Sequence, residues 1–521
     1  MTPDEVRHAL LIRQEIALLD VREEADFADA HPLFAANLPL SRLEVEVLDR
    51  LPRKTVPIVV YDNGGVSDGG YAERARKILK RLGYTQVSLL EGGLAGWAAA
   101  GFELFRDVNS YSKAFGELVE ARRHTPSLPA PEVKARIDRG DDMVILDARR
   151  FEEYRTMSIP GGTSVPGAEL ALRAPLLAPD PTTTIIVNCA GRTRSLIGTQ
   201  SLINAGIPNP VFALRNGTIG WTLEGFALDH GETRRFPAAD DAALADTRTK
   251  ARALAYRAGV RHIGPADLDR LAADRNRTLY RFDVRPPEEH FAGHPRGFRS
   301  YPGGQLVQET DMAAPVRGAR ILLYDDLGPR ADMTASWLAQ MAWEVFVVTG
   351  LDKRGFIKGP APATLPDLPD VETIAPKALT VARAAGAVLI DLALSPAYRR
   401  GHIGGALFAI RARLAADLAA LPAGDIILTS TGGAIARFAA AELATSGRRV
   451  RALVGGTDAF VATGGSLVAG DGEQLSPFGD VYRRPYEGTD NPRGAMQAYL
   501  DWEYGLVEQL ERDASHGFTV I

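Results

Sequence analysis

The chain has 521 residues, 45% of them hydrophobic and 24% charged, with a formal net charge of -5. That length exceeds one core and predicts roughly three to five domains of ordinary globular composition. The acidic balance, with no basic stripe, argues against a nucleic-acid partner.

The first residues, MTPDEVRHALLIRQEIALLD, break their apolar run with charges, which argues against a signal peptide or a spanning helix. The most apolar stretch, AGAVLIDLAL, contains Asp391 and reads as a buried strand. The expected location is cytoplasmic, with no membrane partner.

In chain order, one plan then occurs four times. An apolar run ends in Asp and a polar helix start follows; a second apolar run ends at one loop residue, with a helical stretch behind it. The paired runs are EIALLD and VPIVVYD, with Asp20 and Asp62; MVILDAR and TIIVNC, with Asp147 and Cys189; TLYRFDVR and RILLYD, with Asp283 and Asp325; AVLIDLA and DIILTS, with Asp391 and Ser430. The separation is 42 residues in the first three and 39 in the fourth. A third apolar run reaches a glycine each time: Gly93, Gly217, Gly350 and Gly456. Recurrence at a fixed spacing points to gene duplication.

The runs are short, nearly continuous and rich in Val, Ile and Leu, as strands buried on both faces of a parallel sheet are. Stretches such as YAERARKILKRLGY and RSLIGTQSLINAG have helical spacing and end near a glycine. The prediction is α/β: four domains over residues 1–112, 125–235, 258–362 and 372–470, each a mostly parallel sheet with helices on both faces. Residues 471–521 lack the pattern. There AMQAYLDWEYGLVEQLERD predicts one amphipathic helix that packs on a neighbouring domain or, as the sharper alternative, forms a homodimer contact.

Cys189 is the only cysteine, which excludes an intrachain disulfide and a cysteine-rich zinc site. No metal or cofactor is expected. The cysteine stands where the second strand of repeat two gives way to a helix, IIVN-CAGRTR-SLIGTQSL. The first turn of a helix carries N–H groups without intrahelical acceptors, and its dipole favours negative charge. Gly191 is expected to let the loop curl so that these groups converge, while Arg192 and Arg194 add positive charge. Together these predict a lowered thiol pKa. The bland alternatives are an inert packing cysteine and two surface arginines.

Repeat two resembles a rhodanese domain. Its segment DARRFEEYRTMSIPGG is similar to that family's Asp-Val-Arg, Glu-Tyr, Gly-His-Ile-Pro-Gly-Ala run. Asp147, Arg149, Glu153, Tyr154, Ile159, Pro160 and Gly161 match, while Met157 and Ser158 replace Gly-His. CAGRTRS looks like the family's six-residue active loop. Fainter marks recur in repeat three (Asp283-Val284-Arg285, Gly293-His294) and repeat four (Tyr398, Gly401-His402-Ile403). The resemblance therefore covers nearly all of the chain except the tail and implies four rhodanese-like domains with one working site.

It also implies a sulfurtransferase. Cys189 would take the outer sulfur of a small-molecule donor such as thiosulfate, becoming a persulfide, and a thiol or cyanide would remove it. Ala190, Gly191, Arg192, Thr193 and Arg194 would bind the donor through N–H groups and guanidinium charge, supported by Asp147, Arg149, Glu153 and Ser195. At the cysteine's position the other repeats have Asp62, Asp325 and Ser430. As helix N-caps these take up the amides that would otherwise hold an anion, leaving those repeats silent. The first of these loops, NGGVSDGG, is also longer, carries Asp68 and has no arginine before Arg74. A related phosphatase or arsenate reductase needs five residues between Cys and Arg. Four separate Cys189 from Arg194, which favours sulfur. The alternative from another class is a non-catalytic persulfide carrier or scaffold.

Overall fold

The computed structural model describes residues 1–64, 70–239, 241–361 and 364–521. Most of the repeat-one loop that follows Asp62, with Asp68, lies outside them. The chain divides into two compact units. One comprises Met1–Pro3, Leu18–Val108 and Ala363–Arg483, hence repeats one and four. The other comprises Asp4–Ala17, Asn109–Pro362 and Arg484–Ile521, hence repeats two and three with the end of the chain.

Repeat two shows how the sequence pattern becomes a sheet. Its strands are β1 (Ser127–Leu128), β2 (Met143–Asp147), β3 (Thr163–Ser164), β4 (Thr184–Asn188) and β5 (Val211–Leu214), all parallel, in the order β1-β5-β4-β2-β3. On β4, Ile185 and Val187 enter one core with Leu146, Leu170 and Leu202. Ile186 enters the opposite core with Val133, Ile145 and Trp221. Side chains alternate across the sheet and both faces are covered, so the run is apolar throughout.

Repeat three repeats this strand order with five parallel strands. Repeat four does so too, with Glu473–Gln474 from the tail added at one edge. In repeat one, Leu19 and Asp20 pair in parallel with Ala36 and Asn37, and Ile58–Tyr61 pairs in parallel with Val87–Leu89.

Within each unit the two repeats meet through the segment that follows the two-residue strand Thr163–Ser164 and its counterparts. In repeats two and three, Gly167 faces Gly304 so closely that a Cβ on Gly304 would lie 3.0 Å from the Gly167 Cα. In repeats one and four, Arg411 is buried against Glu44, with hydrogen bonds of 2.7 and 2.8 Å.

Four helices position the site: α1 (Ser110–Arg123), α2 (Thr193–Asn204), α3 (Gly217–Leu223) and α4 (Arg493–Tyr504). The single tail helix expected from the sequence is interrupted at Gly505, and Leu506–Asp513 forms a second one. Glycine is a poor helix former, which marks the break. Among the described residues no helix is long and apolar enough to cross a membrane.

Candidate active site

Cys189 directly follows β4, and the backbone after it is held from α3. The Cys189 carbonyl accepts from the Thr218 N–H at 2.9 Å, and the Ala190 carbonyl accepts from Ile219 at 3.0 Å. This contact requires Gly217, whose φ is +54° and whose Cβ would stand 2.2 Å from the Cys189 oxygen. The same glycine serves repeats one and four: a Cβ on Gly93 would lie 2.6 Å from the Asp62 oxygen, and one on Gly456 1.9 Å from that of Ser430. Among the described residues, the backbone N–H groups of Ala190, Gly191 and Arg192 have no acceptor.

A buried ion pair fixes the strand end beside Cys189. Asp147 accepts from Arg149 Nε at 2.9 Å and Nη2 at 2.7 Å, and from the Asn188 side-chain amide at 3.0 Å. Arg149 also donates to the Met157 carbonyl at 2.6 Å. Asn188 directly precedes Cys189, so the frame reaches the loop through one peptide. Asp20–Arg22 and Asp283–Arg285 repeat the pair. In repeat four Asp391 instead accepts from the Ala393 N–H.

Arg194 donates twice to Glu153, both at 2.8 Å. Burial opposes ionisation of Glu153, but the charge and hydrogen bonds of Arg194 outweigh it and bring its pKa down to about 2. Arg194 also lines a cavity of about 540 Å³ between repeats two and three, with Phe151, Arg235, Tyr301 and Glu309.

Three expectations change here. The thiol pKa is raised, not lowered. Cys189 is only 2% exposed, and burial outweighs the opposing pull of Arg194 and of the Ser195 hydroxyl and N–H, while Glu503 pushes the same way as burial. The thiol donates to Ser195 Oγ at 3.4 Å, and that hydroxyl donates to the Arg192 carbonyl at 2.8 Å. Arg192, read from sequence as a donor-binding group, is turned to α1. It donates to Glu117 at 2.8 and 2.7 Å, to Glu120, and to Asn216 at 3.3 Å, and it stacks 4.0 Å over Tyr504. Its donors anchor the loop to a neighbouring helix. Gly191 has an ordinary backbone; its missing side chain instead admits α4, since a Cβ would lie 3.1 Å from Tyr499 Cε1 and 3.2 Å from Glu503 Oε2.

The tail therefore covers the loop. Ala190 and Ile219 form an apolar cluster with Tyr486, Met496, Tyr499 and Leu500. Glu503 is fully buried and accepts from the Tyr499 hydroxyl at 2.8 Å and from Thr193 Oγ1 at 3.5 Å. The Lys113 ammonium of α1 lies 4.9 Å from the Tyr499 ring and 5.4 Å from that of Trp502. Sequence reading passed over Glu117, Glu120, Tyr499, Glu503 and Lys113, which carry no local motif. Asn188 and Gly217 adjoin features the repeats already marked.

In the other repeats, the side chain at the position of Cys189 accepts from nearby backbone amides. Asp62 accepts from the N–H groups of Gly64 and Ala72, each at 3.0 Å. Asp325 accepts from the N–H groups of Leu327 at 3.1 Å and Arg330 at 2.9 Å, and Ser430 Oγ accepts from Ala436 at 3.3 Å. Arg330 repeats the role of Arg194 by pairing with Glu289 at 2.8 and 3.0 Å, and it also donates to Glu169 at 2.9 Å.

Parallel α/β repeats, the Asp–Arg frame and a cysteine loop at a helix start define one class, and the chain belongs to the rhodanese family. The Rhodanese-like domain profile matches residues 2–100 and 129–224. The whole chain is similar to the crystal structure of a thiosulfate sulfurtransferase from Pseudomonas aeruginosa, with 57% identity and a TM-score of 0.98 over 100% of this chain and 99% of that one. A thiosulfate sulfurtransferase of Azotobacter vinelandii is 26% identical over 36% of this chain and 74% of its own. The uncharacterized protein YibN of Escherichia coli K12 is 28% identical over 19% of this chain, and the match spans 66% of YibN.

Proposed function

We propose that the protein is a sulfurtransferase in which Cys189 carries sulfane sulfur as a persulfide. One observation carries the reading: the Gly191 amide is open beside a cysteine, whereas at the same place in repeats one and three the amides of Gly64 and Leu327 are taken by Asp62 and Asp325. Fixed N–H groups stabilise a thiolate or a persulfide anion without reorganising. Arg194, held by Glu153, supplies the nearby positive charge.

In the first half-reaction the Cys189 thiolate attacks the outer sulfur of a donor such as thiosulfate. The donor's S–S bond breaks, and its electron pair leaves with sulfite. In the second, an acceptor thiolate or cyanide attacks the outer sulfur of the persulfide, whose S–S bond breaks to return the Cys189 thiolate. The names of the relatives support thiosulfate as donor. Incubation with donor should add one sulfur atom to the intact mass, removable by dithiothreitol, and Cys189→Ser should lose both this adduct and turnover. Turnover that survives Cys189→Ser refutes the mechanism.

A further inference from the structure

The cavity of about 540 Å³ between repeats two and three has walls of opposite character. The asymmetry begins in the sequence. Directly after Asp147-Ala148-Arg149 repeat two carries Arg150-Phe151, and directly after Asp283-Val284-Arg285 repeat three carries Pro286-Pro287. Repeat two therefore brings a guanidinium and an aromatic face, with Arg235 beside them, while repeat three brings Glu288 and Glu309. From one repeat to the other, Arg150 pairs with Glu309 at 2.6 Å and Arg235 with Glu288 at 3.1 Å.

Each pair joins a fixed group to a loose one. Glu309 is 18% exposed and accepts from the Tyr301 hydroxyl at 2.8 Å, whereas its partner Arg150 is 54% exposed. Arg235 lies 3.5 Å over the Phe151 ring, whereas its partner Glu288 is 64% exposed. Exposed ion pairs contribute little to stability, so a loose member exchanges readily for a ligand's charge. The fixed members leave one anionic and one cationic anchor on a partly aromatic wall. The volume falls in the range of small-molecule sites, which combine apolar walls with a few placed polar groups.

We propose that this cavity binds a small zwitterion, an amino acid or dipeptide, with its carboxylate on Arg235 and its ammonium on Glu309. Arg150 and Glu288 turn to solvent when it binds. A ligand of one sign engages one anchor, whereas a zwitterion engages both and leaves neither without a counter-charge. Repeat three, which has no cysteine, thereby supplies half of a ligand site. The site is defined by binding and is independent of sulfur transfer.

Calorimetric titration of the full-length protein tests this with three probes. They are glycyl-phenylalanine, its N-acetyl form, which lacks the ammonium, and its C-terminal amide, which lacks the carboxylate. The dipeptide should bind with a Kd of about 1 mM or tighter, and each blocked form about tenfold more weakly, the loss expected for one charge-assisted contact. Glu309→Gln should weaken the dipeptide about tenfold and leave the N-acetyl form unchanged. Arg235→Gln should weaken it likewise and leave the amide unchanged. Arg150→Gln and Glu288→Gln remove the loose partners and should bind the dipeptide at least as tightly as wild type. Absence of binding at about 10 mM dipeptide, equal affinity for the three probes, or an equal loss in all four variants overturns the proposal. Should Glu309→Gln fail to fold, Arg235→Gln, at a half-exposed position, decides alone: unchanged dipeptide affinity there overturns the proposal.

Discussion

Replacing Gly217 by alanine separates the placement of the Cys189 loop from the presence of its thiol. Two effects add. The φ of +54° lies in the left-handed region, where a Cβ costs about 1–2 kcal/mol. The new Cβ would also stand 2.2 Å from the Cys189 oxygen and 2.8 Å from that of Gly191. Ordinary carbon contacts begin near 3.5 Å, so the loop must retreat by on the order of 1 Å. A displacement of about 1 Å at a reacting group costs about a hundredfold in rate.

The expected result is a hundredfold lower kcat/KM with a Tm only a few degrees lower, on the order of 2–4 °C per kcal/mol for a unit of this size. Gly350 is the matched control. It ends the corresponding run of repeat three with φ +72°, yet a Cβ there meets nothing within 4 Å. Gly350→Ala carries the strain alone and should lower Tm comparably while keeping full activity. Steady-state sulfur transfer and thermal melting of both variants decide the matter. Activity of Gly217→Ala within twofold of wild type, or an equal loss in Gly350→Ala, refutes the reasoning.

Four other outcomes are expected. Glu153 has a folded pKa of about 2, below its ordinary 4.5, so its contribution is present above pH 4.5 and lost as pH falls toward 2; wild type should exceed Glu153→Gln by roughly 2–3 kcal/mol at neutral pH, an advantage that shrinks in acid, and a gap constant with pH in melting curves contradicts this. Arg192→Met leaves a buried carboxylate at Glu117 and should cost about 3–5 kcal/mol in denaturant unfolding with little change in donor KM; a large KM increase on a stable variant would place Arg192 at the donor. Because burial pushes the Cys189 thiol up, its iodoacetamide rate should inflect above the ordinary thiol range of about 8.5, and an inflection near neutrality excludes this picture. Asp62→Cys combined with Cys189→Ser should show no turnover, since Arg74, the first arginine after that loop residue, donates to the Ala412 carbonyl at 2.8 Å; turnover near wild type would show repeat one to lack only its nucleophile.

The sheets and the strand-to-helix position of Cys189 were readable because their causes are local. TIIVN announces burial on both faces by its composition, and Asp147 meets Arg149 across two residues. The spacing of the repeats marked Gly217 before its contact with Cys189 was visible. The fate of Arg192 was not readable, because a guanidinium looks the same in sequence whether it faces a donor or Glu117, 75 residues away. The direction of the thiol pKa was misread for a related reason. Helix dipole and neighbouring charge are written beside Cys189, whereas its desolvation comes with a tail whose Glu503 is 310 residues from Thr193. The pairing of repeats was hidden as well, since four similar domains offer similar surfaces and the choice falls to contacts such as Arg411–Glu44.

That pairing is nested, the inner two repeats together and the outer two together, and this has a consequence for biosynthesis. Repeat one leaves the ribosome first but completes its unit with residues from 363 onward. Its Glu44 waits for Arg411 while residues 109–362 are made, which takes on the order of ten seconds to a minute at about 5–20 residues per second. Repeats two and three meet as soon as the second of them emerges. A chain that stops early, after repeat three, therefore keeps Cys189 but loses the cover over it, and it strands the first repeat with an unfinished surface. The outer pair and the cover over Cys189 are both completed only after repeat three has emerged, the cover last of all.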